Sequence, residues 1–113
     1  MDYSQLSDQE INLLVAKIQH PDKTFIESKT RSPSVVMLNH INMWIDYCNN
    51  PANAWPIITE NRIGIIPAPE VGMWKAAHRG VGDDNTPQHF NQNVNPLRAA
   101  MIVFLMMQES QHA

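Results

Sequence analysis

The sequence predicts an α+β fold: a small antiparallel sheet with an N-terminal and a C-terminal helix packed on it, an irregular Trp-Pro segment and one long loop. Three observations lead there. A capped amphipathic helix opens the chain, short β-rich runs separated by turn clusters fill the middle, and an almost unbroken apolar helix lies near the end. At 113 residues, the chain is read as a single domain, 1–113, able to bury one modest core.

The first helix is signed by Ser7 and Glu10, which have capping-box spacing, with Leu6 and Ile11 placed as a hydrophobic staple. Ile11, Leu14, Val15 and Ile18 then form one apolar stripe, and His20-Pro21 stops it. From Asp22 to Asn50 the pattern is strand-like. "KTFIES" and "SVVML" are β-rich runs around the turn-forming "KTRSPS", and "INMWIDYC" favours a third strand in which Trp44 suits either face. "CNNPANAWPIITENRI" is the least regular stretch. Pro51 and Pro56 bias the residues before them toward extended geometry, leaving room for a short helical turn from Asn50 or Asn53 and a second brief helix over "PIITENRI". "IGIIP" and "GMWKAAH" read as a hairpin across "APEVG", and residues 79–95 read as a long loop of turn formers. The last helix starts at Asn95, as N-cap, with Pro96 in the favoured first position.

Composition narrows function. With 43% apolar and 17% charged residues and a net charge of −3, the chain has no global basic field to draw it to nucleic acid or an anionic membrane. The run Ala99–Met107 is well short of the ~20 residues of a membrane span, and the acidic start is not a secretory signal. The lone Cys48 rules out an internal disulfide and fits a reducing compartment. The five histidines form no i, i+4 pair and no H-E-x-x-H, so no metal site is expected. There is no G-x-S-x-G, Walker loop or G-x-G-x-x-G, and adjacent Asp83 and Asp84 point apart on regular backbone. The expectation is a non-enzymatic protein without a cofactor.

Arg98 stands out because it falls at N3, where backbone N–H groups already carry partial positive charge. Two readings stand. Either Arg98 pairs with a nearby carboxylate or snorkels to water, or it joins the N–H groups of Asn95–Leu97 in holding an external anion. Trp55, beside Pro56, is either a stacking platform for a planar ligand or a core residue. On a strand, Trp74 shares one face with Ala76 and His78, while Lys75 and Arg79 share the other. The apolar Met101–Met107 segment is either enclosed by the chain or covered on its spare face by a second copy.

"MDYSQLSD.EIN", "CNNPANAWPIITENRIGIIP" and "NPLRAAMIVFLMMQE" closely resemble the NinX-like proteins of P22- and lambda-type tailed phages. The resemblance covers about half the chain. More distant phage relatives keep a skeleton seen here as Trp55 with Pro56-Ile57-Ile58, Trp74-Lys75-Ala76, and Pro96-Leu97 with Ala99-Ala100-Met101. Residues 22–46 and 80–94 depart from the pattern. Membership implies a small accessory protein in the cytoplasm of an infected bacterium, with no established reaction.

Joined to the site readings, this gives the expectation of a homo-oligomeric protein that sequesters a small anionic nucleotide-like ligand, such as a host immune signal. Trp55 or Trp74 would stack the base; Arg98, the Asn95–Leu97 helix start, Lys75 and Arg79 would hold phosphate. The alternative is a module that docks on a host or phage protein through its apolar C-terminal helix. Direct nucleic-acid binding is not expected.

Overall fold

In the computed structural model, which describes residues 1–38, 43–78 and 89–111, three helices and two three-stranded antiparallel sheets make the expected α+β fold. A 3-10 turn at Tyr3–Gln5 precedes α1 (Asp8–Gln19). Strands β1 (Phe25–Glu27), β2 (Val35–Met37) and β3 (Trp44–Ile45) form the first sheet. Helix α2 (Pro51–Glu60) leads to β4 (Gly64–Pro67), β5 (Trp74–His78) and β6 (His89–Asn93), and α3 (Pro96–Gln111) follows.

Helix α1 forms as its caps dictate. Ser7 and Glu10 exchange the reciprocal bonds of a capping box, and Ile11 and Val15 are fully buried. It packs on β1, β2 and α3, whereas α3 packs on β4, β5 and β6. One sheet was expected with both helices on it; instead each helix has a sheet and the helices meet between them.

Helix α2 corrects the irregular Trp-Pro reading. Asn50 caps it through a bond from the Ala52 N–H, Pro51 takes the first turn, and the helix continues through Pro56. An interior proline costs ~3 kcal/mol, an amount that burial of Ala54, Ile57 and Ile58, together with the contact of α2 on α3, offsets. The helix closes with Arg62 at φ 56°, and the Ile63 N–H returning to the Ile58 carbonyl at 3.0 Å. That is the left-handed closure usually given to glycine.

The expected loop 79–95 contains a strand. His89–Asn93 pairs with β5 in the register Trp74↔Asn93, Ala76↔Asn91 and His78↔His89. The strand was missed because "HFNQN" is polar on its buried side, so no apolar alternation marks it. Residues 79–88 of that loop lie outside the described residues.

Helix α3 is the centre of the core. Ala99 through Leu105 and Met107 are all buried, and Leu97 and Met106 are partly buried against them. The face on which a second copy was expected is occupied by the chain's own α1 and α2. The apolar helix is therefore not an exterior docking surface.

Candidate functional site

Asn95 and Arg98 sit where α3 begins, and their polar groups are satisfied within the chain. The Asn95 side chain accepts from the backbone N–H of Leu97 at 2.9 Å and of Arg98 at 3.2 Å. Its amide group donates to the Cys48 carbonyl at 2.7 Å and to Asn49 at 3.1 Å. The helix-start donors imagined for an anion are thus taken by the cap. The Arg98 guanidinium donates to Asp8 Oδ1 at 2.7 Å, to the Leu6 carbonyl at 2.6 Å and to the Ser4 carbonyl at 3.2 Å. Its side chain is 13% exposed and that of Asp8 31%. Of the two readings for Arg98, the geometry is that of the internal ion pair.

This pair belongs to a network that locks three segments together. Asp8 opens α1, where its charge complements the helix start. Asn49 donates to Asp8 Oδ2 at 3.2 Å and to both oxygens of Asp46. Fully buried Asn12 donates to Asp46 and to the Pro33 carbonyl and accepts from the Cys48 N–H. Asn53 accepts from the Asp46 N–H. The asparagines of "CNNPANAW" and the arginine of "NPLRA" thereby join α1, the β3–α2 connection and α3. The Cys48 thiol within the network is driven well above its ordinary pKa by burial, with the Asp8 charge adding to the effect. It stays a protonated thiol rather than a nucleophile.

The other expected binding residues do not converge on this point. Trp55 lies on α2 and is 60% exposed, so of its two readings the core residue is set aside. Trp74 is 38% exposed and shares the inner face of its sheet with buried Ala76. Its register partner is Asn93, whose side chain accepts from the Asn95 N–H at 3.0 Å, so Trp74 alone comes near the α3 start. Lys75 points to the opposite, outer face, and Arg79 lies outside the described residues.

That outer face is the more telling surface. Gly64, Ala77 and Phe90 form one cross-strand row, and Ile66, Lys75 and Gln92 the next. Ile66 is 57% and Phe90 48% exposed, and the Lys75 ammonium lies 4.9 Å from the Phe90 ring centroid. Among the described residues, no ion pair involves Lys75. The first sheet carries a comparable row, Ile26–Val36–Trp44, but there the Arg31 guanidinium covers the indole at 3.8 Å. Sequence reasoning missed Phe90 because it missed β6.

The same omission hid a histidine pair. His78 and His89 face each other across β5 and β6, with ring centroids 6.3 Å apart and planes at 18°. Burial, with His89 adding to it, holds the His78 pKa below the ordinary histidine value. Among the described residues, His78 Nδ1 and Asn91 Oδ1 are buried with no hydrogen-bond partner. No spacing rule in the sequence brings residues 78 and 89 together; only the strand register does.

An open groove of about 370 Å³ also runs between the first residues, α1 and α3, floored by Leu14, Ile18 and Leu105. Above it, the Tyr3 hydroxyl donates to Glu109 at 2.8 Å, and burial pushes that phenol up to about 12. Among the described residues, no helix is long and apolar enough to cross a membrane.

No curated protein and no solved structure matches the chain. The family described as Bacteriophage P22, NinX, matches residues 2–108, which include α1, the asparagine network, both sheets and nearly all of α3. The chain therefore belongs to the phage P22 NinX family and is a small phage accessory protein.

Proposed function

We propose that this protein is a non-enzymatic interaction module of the infected bacterial cytoplasm, docking on a host or phage protein through the outer face of β4–β5–β6. The observation that carries the reading is the pairing of Ile66 and Phe90, each about half exposed, around the Lys75 side chain. Exposed aliphatic and aromatic side chains grouped on one rigid face suit a partner better than water. A partner of different sequence fits better than a second copy. A two-fold contact centred on this patch would oppose one Lys75 to another, and like charges brought together in an interface are costly. A carboxylate set among apolar groups on the partner complements the face.

Sequestration of a small anionic nucleotide-like ligand in an anti-defence role draws less support. Exposed Trp55 suits stacking, yet the cation expected to serve with it, Arg98, is already bound to Asp8.

Affinity purification from infected cells tests the docking reading, using wild type and an Ile66→Asp/Phe90→Asp variant. The expected result is one stoichiometric protein partner with wild type, lost with the variant while its thermal unfolding stays within a few degrees of wild type. Equal retention by both, or no partner with either, refutes it. Calorimetry with cyclic nucleotides checks the other reading, for which saturable binding lost in Trp55→Ala is the required outcome.

A further inference from the structure

We propose that His78, His89 and Asn91 hold a divalent first-row transition-metal ion at the inner-face end of the β4–β5–β6 sheet, through a ring nitrogen of each histidine and Asn91 Oδ1. The inference stands apart from the docking surface, because these side chains lie on the opposite face of the sheet.

The register supplies the arrangement. His78 and His89 are direct cross-strand partners, and Asn91 lies two residues along β6 from His89, so all three project to one side of the sheet. Two atoms in the cluster are buried and lack a partner among the described residues: His78 Nδ1 and Asn91 Oδ1. Asn91 Oδ1 only accepts, and a neutral imidazole always offers one acceptor nitrogen. A buried polar atom without a partner is costly, so two acceptors of this kind on one face call for an electron-pair acceptor. Among the described residues, no three His, Cys, Asp or Glu side chains gather in one place. A cation here would therefore rest on imidazole and carboxamide rather than on thiolate or carboxylate.

Cross-strand placement and donor chemistry suit such an ion once the rings turn toward each other. Metal–imidazole bonds run about 2.0–2.1 Å, and a ring nitrogen lies roughly 1 Å from its centroid, so two rings sharing one ion at a tetrahedral angle have centroids about 5 Å apart. At 6.3 Å and 18° the two rings stand apart, so binding turns each side chain to aim a nitrogen at the ion and draws the centroids together by about 1 Å. Imidazole selects zinc, copper or nickel over calcium and magnesium, and water completes the coordination. With neutral ligands only, the site binds more weakly than one containing an acidic residue.

The test uses the full chain without a histidine tag. Cobalt(II) is titrated by visible absorption and zinc by calorimetry, on wild type, His89→Phe and Asn91→Asp. Expected are one equivalent of metal on wild type, at least tenfold weaker binding by His89→Phe, and tighter binding by Asn91→Asp because the new carboxylate adds charge. In wild type, zinc should also move the imidazole NMR signals of His78 and His89 together, a readout that does not depend on any variant folding. Absence of saturable binding, binding indifferent to both substitutions, or movement of other histidine signals alone would overturn the assignment.

Discussion

Replacing Arg98 with methionine keeps much of the side chain's length and removes its charge and donors. The change strands the Asp8 carboxylate, which is 31% exposed, and takes donors from the Leu6 and Ser4 carbonyls. Removing one member of a buried ion pair costs ~3–5 kcal/mol. Water reaching Asp8 lowers that figure, since exposed pairs contribute only ~0–1 kcal/mol. The guanidinium is 13% exposed, so the pair lies nearer the buried limit, and the expected loss is about 2–4 kcal/mol. For a domain of this size such a loss lowers the melting temperature by roughly 8–16 °C. Urea unfolding of wild type, Arg98→Met, Asp8→Asn and the double variant gives both the loss and the coupling. A coupling of about 1–3 kcal/mol is expected for two groups in direct contact. A loss below 0.5 kcal/mol with no coupling would refute the clasp and return Arg98 to the role of a cation awaiting an external anion.

Three further outcomes follow from other parts of the fold. Asn95→Ala removes both the α3 cap and the amide bonds to Cys48 and Asn49, and should cost about 1–3 kcal/mol by denaturant titration. Phe104→Ala, at a position 1% exposed in the middle of α3, should cost about 3–5 kcal/mol, read by the same titration. His78 has a folded-state pKa below its unfolded value, so the unfolded chain binds the extra proton first. Its contribution to stability is therefore complete above the unfolded value and is lost as pH falls through the folded one; melting curves should show a slope in that window that His78→Phe reduces.

Much of the fold was legible where local signals and burial agree. The Ser7–Glu10 box and the Ile11–Val15 stripe placed α1, and Asn95-Pro96 placed the start of α3 to the residue. The failures came where tertiary contacts overrule a local preference. Pro56 read as a break, yet the buried Ile57 and Ile58 carry α2 through it. β6 read as a loop because a strand whose inner positions are His89, Asn91 and Asn93 shows no apolar period. Arg98 was legible as an anomaly but not as a solution, because its partner lies 90 residues away at the start of another helix. Long-range pairs of single polar residues leave no periodic trace in a lone sequence.

The enclosure of α3 has a consequence for how the chain reaches its native state. The β4–β5–β6 sheet and both earlier helices stand against a segment that is synthesised after them, so a nascent chain lacking residues 96–111 leaves apolar surface of α2 and that sheet, Ile57 and Ala76 included, without its cover. Folding must wait for those final turns and then close contacts spanning most of the polypeptide, a topology that slows the search. A premature stop before residue 96 would leave sticky, protease-sensitive material instead of a smaller working version.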